Sequence, residues 1–188
     1  MDGGRSHRSR PSNAAAAHAV PTAPAADMLG FVELLFFGYR DFTAESDAVL
    51  AKLDLGRAHH RVLHFVHWMP GQRVIDLLDV LKITKQSLAR VLKALIDTGL
   101  IEQREGPNDR RERLLYSTAA GQALAEDLAR LQTERIEVAL AAAGVDGHAA
   151  VQRFLEALIT DPVKTRAMAN ARLAQQPMAQ PNPDQSAL

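Results

Sequence analysis

The stretch VIDLLDVLKITKQSLARVLKALIDTGLIEQREGPNDRRERLLYST, residues 74–118, decides the fold. Val74, Leu77, Leu78 and Leu81 fall at i, i+3, i+4 and i+7, one apolar face of a short helix. Lys82-Ile83-Thr84 turns the chain, and Thr84 is placed to cap a second helix over residues 84–98. Leu88, Val91, Leu92 and Leu95 repeat the spacing there, and Gly99 supplies a left-handed residue to close it. Two amphipathic helices joined by so short a turn read as a helix-turn-helix.

The solvent face of the second helix carries Lys85, Gln86, Ser87, Arg90 and Lys93, and no acid stands between Lys82 and Leu95. Arg and Lys reach guanine, Gln pairs with adenine, and Ser or Thr holds phosphate, so such a face suits a major groove. A merely solvated charged face has the same composition, and the helix alone decides nothing. The continuation does. Residues 100–104 and 113–117 are strand-like, and the charged, turn-rich run 105–112 lies between them. A hairpin directly after such a helix is a wing, and Arg110, Arg111 and Arg113 at its tip suit a minor groove. Asp109, two residues before Arg111, is placed to hold that guanidinium and aim it.

Residues 83–90 (ITKQSLAR), Leu95 to Ile101, Asp109-Arg-Arg-x-Arg113 and Thr118-Ala-Ala-Gly121 together resemble the signature of the MarR family of winged-helix transcription regulators. The likeness runs from about Met28 to Leu173. Residues 55–64 (LGRAHHRVLH) with 83–87 are similar to the PetP-type branch of that family. The resemblance implies a homodimer, DNA reading by the helix at 84–98, an Asp109/Arg111 pair at the wing tip, and a small-molecule effector lodged between dimer helices and winged domain. Ser117 departs from the pattern, which usually has an apolar residue there.

Outside this region the chain divides by composition. Residues 1–26, Arg, Ser, Ala and Pro with few large apolar side chains, read as a disordered basic leader. Residues 27–56 hold a helix capped by Asp27 and running through Leu53, apolar over more than one face, as a dimerisation helix would be. Residues 57–118 form the winged helix-turn-helix, opening with a helix 57–68 that buries Val62, Leu63, Phe65 and Val66. Residues 119–174 hold further dimerisation helices. Leu124, Leu128, Leu131 and Val138 line one, and Val151, Phe154, Leu155 and Leu158 are the buried side of the next, with a last turn over 163–173. Residues 175–188 read as a disordered tail. The fold class expected is mainly α with a small β-wing (α+β).

His59, His60, His64 and His67 crowd the helix 57–68, and His60, His64 and His67 share one stripe. A metal or haem site is the sharper reading. Hydrogen bonding at a helix junction, or the lining of an effector pocket by His60 and His64, is the plainer one. With no carboxylate or cysteine at ligand spacing, no metal or cofactor is expected. Absence of cysteine also excludes disulfides and thiolate zinc sites. A net charge of zero places any attraction for DNA in a local patch.

The function expected is a dimeric, ligand-responsive repressor, cytoplasmic and nucleoid-associated, and not an enzyme. It would read a pseudo-palindromic double-stranded operator with Gln86, Ser87 and Arg90 on base edges and Thr84, Lys85 and Lys93 on phosphates. The alternatives are a dimeric winged-helix module that binds a partner protein, or a metal- or haem-responsive sensor. No span of a membrane is expected.

Overall fold

The computed structural model describes residues 26–107, 109 and 111–161. The leader before Ala26, the tail and the turn expected over 163–173 lie outside the described residues. The order is α1 (Ala26–Ala51), α2 (Arg57–Trp68), β1 (Gln72–Arg73), α3 (Val74–Leu81), α4 (Lys85–Asp97), β2 (Ile101–Glu105), β3 (Arg113–Ser117), α5 (Ala119–Ala142) and α6 (Gly147–Ala157). The chain is mainly helical with a small antiparallel sheet, a winged helix-turn-helix.

Local chemistry sets most boundaries. Thr84 caps α4, its hydroxyl accepting from Ser87 N at 3.2 Å, and Thr118 caps α5 by accepting from Gly121 N at 3.1 Å. Gly99, at φ +71°, ends α4 and lets Leu100 N return to Leu95 O at 2.9 Å. The turn between α3 and α4 places Lys82 in the left-handed region at φ +51°, where a residue other than glycine is uncommon. Asp27 does not cap α1. The helix begins at Ala26 and stops at Ala51 rather than Leu53, and Asp27 sits in its first turn near the positive end of the dipole.

The sheet has the order β1-β3-β2, with Ile101 opposite Ser117 and Glu105 opposite Arg113. Strand β1 is too short to show a period, and the sequence reading missed it. It pairs Gln72 with Leu115, and the Gln72 amide donates to Phe65 O at 2.8 Å, which pins the strand to the end of α2. Leu63, Leu77, Leu88, Leu95, Ile101, Leu115 and Leu128 are fully buried, so α2, α3, α4, the sheet and the start of α5 share one core. Phe65 is only half-buried and rests on the edge of that core.

Two units are distinguishable, Met1–Phe37 and Gly38–Leu188. In the first, Met28, Leu29, Phe31, Val32, Leu34, Leu35, Phe36 and Phe37 are all exposed. In the second, the apolar stripe of α5 is buried at Leu128 and half-buried at Leu124 and Leu131, while Val138 is open. Val151, Phe154 and Leu155 of α6 and Leu158 just after it, expected to be buried, are exposed, and α6 buries no residue. Helical periodicity marks a face that wants cover without saying which molecule supplies it, and a single chain does not.

Leu77→Ala removes a fully buried side chain and should lower stability by about 2–5 kcal/mol. Urea unfolding at fixed protein concentration measures this, and a loss well under about 1 kcal/mol would take α3 out of the core.

Candidate nucleic-acid interface

Helix α4 is divided lengthwise. Leu88, Val91, Leu92 and Leu95 face the core, while Lys85, Gln86, Ser87, Ala89, Arg90 and Lys93 are exposed. The first turn holds Lys85 and no acid, so its free backbone N–H groups and the helix dipole add to that positive charge. Thr84 and Ser87 are tied together, hydroxyl to hydroxyl at 2.9 Å, in addition to the cap bond. Their oxygens are therefore held at one edge of the face.

The cations are not equally available. Lys82 pairs with Asp79 at 2.7 Å and Lys93 with Asp97 at 2.6 Å, both acids lying just outside the acid-free run. Those spacings of three and four residues on a helix were legible as pairs. Lys85 and Arg90 have no ion pair among the described residues. The positive charge is thus centred on the middle and start of α4.

The wing tip departs from expectation in one detail. Asp109 Oδ1 accepts from the backbone N of Arg111 at 2.8 Å, and the Asp109 carbonyl accepts from Glu112 N at 3.0 Å. The carboxylate therefore shapes the turn and does not grip the Arg111 guanidinium, because an acid two residues upstream meets the near amide first. Arg111 is exposed and has no ion pair among the described residues. Arg113 pairs with Glu105 across the strands at 3.1 Å. Arg110 lies outside the described residues.

Two cations that the sequence reading passed over also belong to this surface. Arg104 lies over the Tyr116 ring, 4.3 Å from its centre, and pairs with Glu102. Arg73 donates to both carboxylate oxygens of Asp76, at 2.9 and 2.8 Å, and reaches Glu112 of the wing at 3.6 Å. Those hydrogen bonds hold the Asp76 carboxyl below its usual range.

The histidines of α2 have separate tasks. His59 Nδ1 accepts from Gly56 N at 3.0 Å at the helix start. His67 lies 3.3 Å from the Ser117 hydroxyl and 3.8 Å from Glu126, which gives the buried Ser117 a polar partner. His60 and His64 both line a cleft of about 320 Å³ between α1, α2 and α5, with Tyr39, Phe42, Arg57, Arg61 and Gln132. A neighbouring cleft of about 420 Å³ shares Phe42, His64 and Gln132. Among the described residues no group of three His, Asp or Glu side chains is arranged to hold a metal.

A scan against family models matches residues 53–112 to the MarR family. Over 135 residues the chain is 47% identical to the HTH-type transcriptional regulator PetP of Rhodobacter capsulatus, covering 72% of this chain and 81% of that protein. The chain belongs to the MarR family. Solved structures share its fold. A SlyA-like regulator from Listeria monocytogenes is 20% identical with a TM-score of 0.58, covering 86% of this chain and 100% of that one. A mutant MarR from E. coli complexed with operator DNA is 22% identical with a TM-score of 0.56, covering 71% and 96%. As a MarR-family protein it is a DNA-binding transcriptional regulator and not an enzyme. No described helix is long and apolar enough to cross a membrane.

Burial holds the His60 imidazole below its ordinary value, against the pull of Asp47, and does the same to His67 against Glu126. The unfolded chain then binds protons that the folded chain refuses. Their contribution to stability is present above about pH 6.5 and is lost as pH falls through that value toward the lower folded ones. Urea midpoints taken between about pH 8 and about pH 5.5 should fall, and His60→Gln should flatten the fall. An unchanged slope in the variant would remove His60 from the effect.

Proposed function

We propose that this MarR-family regulator is a homodimer that presents two copies of α4 to successive major grooves of a pseudo-palindromic operator, with half-sites about 10 bp apart. Gln86, Ser87 and Arg90 read base edges, and Thr84, Lys85 and Lys93 hold phosphates. Arg111, Arg113 and Arg110 of the wing approach the flanking minor groove, with Asp109 shaping the turn that carries them. The observation that carries this reading is the exposed polar face of α4, with Lys85 and Arg90 unengaged by acids among the described residues. The operator-bound E. coli MarR, of the same fold, supports it.

A second copy is the cover proposed for the exposed apolar side chains of residues 28–37 and, separately, of α6. The site of action is the nucleoid in the cytoplasm. The effector binds the cleft holding His60 and His64. Its aromatic walls and the cations Arg61 and Arg57, the latter shared with Asp47 at 2.7 Å, with no carboxylate among its described lining residues, suit an anion with an aromatic body. Occupancy releases or retains DNA only through unequal affinity for the two arrangements of the dimer, and repression is the activity proposed for the unliganded form.

Selection of bound genomic fragments by purified protein tests the whole. An inverted repeat should emerge, and no enrichment over random competitor would overturn the reading. Arg90→Ala should cost about 1–3 kcal/mol and relax preference at its base position. Arg111→Ala should weaken all duplexes alike and reduce the salt slope by about one per wing. A normal salt slope in that variant would take the wing off the DNA.

A further inference from the structure

The hydroxyl of Thr118 serves two helices at once. It donates to Gly99 O at 2.6 Å, just past the end of α4, and accepts from Gly121 N at 3.1 Å in the first turn of α5. The Thr118 amide adds a bond to Leu100 O at 3.1 Å, extending the β2–β3 ladder one step beyond the pair of Ile101 and Ser117. Both acceptor carbonyls belong to the turn that closes α4, where Gly99 N returns to Ile96 O and Leu100 N to Leu95 O, each at 2.9 Å.

Gly121 completes the contact. It is buried, and a Cβ there would stand 1.9 Å from Leu100 O and 2.9 Å from Leu100 C. These are backbone atoms, not the tip of a flexible side chain, so a methyl group could enter only if α5 moved away from the end of α4. We propose that Thr118 and Gly121 are positioning residues, a stiff joint that fixes the angle between α4 and α5 and thereby the half-site spacing the protein accepts. The proposal rests on the dimeric reading above, in which α4 enters the groove and α6, which follows α5 after a short turn, takes part in pairing.

The leverage is considerable. The 13 residues of α4 reach about 18 Å from the joint. A rotation of about 10° moves the far end by about 3 Å, close to the rise of one base pair. A loosened joint therefore blurs spacing while leaving the base-reading side chains as they were.

The test uses the full-length wild type, T118A, T118S and G121A, each checked for helix content and for dimerisation by sedimentation. Each is offered a pool of duplexes carrying the selected half-sites at spacers differing by single base pairs. Wild type should favour one spacer about tenfold over its neighbours, and T118A should reduce this to about threefold or less. T118S, which keeps the hydroxyl, should restore the preference, and G121A should behave as T118A does. If T118A keeps the wild-type spacing preference while binding every duplex more weakly, or if T118S restores nothing, the joint is refuted. A wild type that favours no spacer overturns the dimeric reading, and the joint with it.

Discussion

The polar face of α4 depends on the burial of the stripe opposite it. A helix of this length is marginal alone in water, and its apolar side chains Leu88, Val91, Leu92 and Leu95 hold it in place by leaving solvent. Each contributes about 1.5–3 kcal/mol when fully covered. Because a helix has fixed rotational spacing, seating that stripe also decides where Lys85, Gln86 and Arg90 point. Orientation of the polar face follows from packing of the apolar one.

The surroundings then restrict how the seated helix can move. Thr84 and Ser87 hold its start, and Gly99, Leu100 and Thr118 tie its end to the wing and to α5. Arg73, fixed by Asp76, extends to Glu112 and links the first strand to the wing. At half exposure such pairs are individually weak, and their use is geometric. The Asp109 turn has a similar role at the tip, since it directs Arg111 through the backbone.

Much of this was legible in residue spacing. The limits of α2 and α3, the Thr84 cap and the Gly99 terminator follow from local rules that act within four residues. Strand β1 was not, because two residues carry no period and it exists only by pairing with β3. The availability of the cations was half legible. Asp79 and Asp97 stand at helical pair distance from Lys82 and Lys93, but the cross-strand partner of Arg113 required the hairpin register. The histidine stripe was visible as a stripe, yet its members face different elements, and only tertiary packing separates the Ser117 contact of His67 from the cleft at His60 and His64. The side chains of α6 were expected inside because periodicity is silent about the cover.

The acids placed at both ends of the α4 cationic run have a consequence for the search along a chromosome. Lys82 and Lys93 must each leave an acid to meet a phosphate, so a duplex of arbitrary sequence gains less from them than from Lys85 and Arg90. Under the dimeric reading, a weaker hold on arbitrary sequence leaves more of the regulator free for the sites it selects.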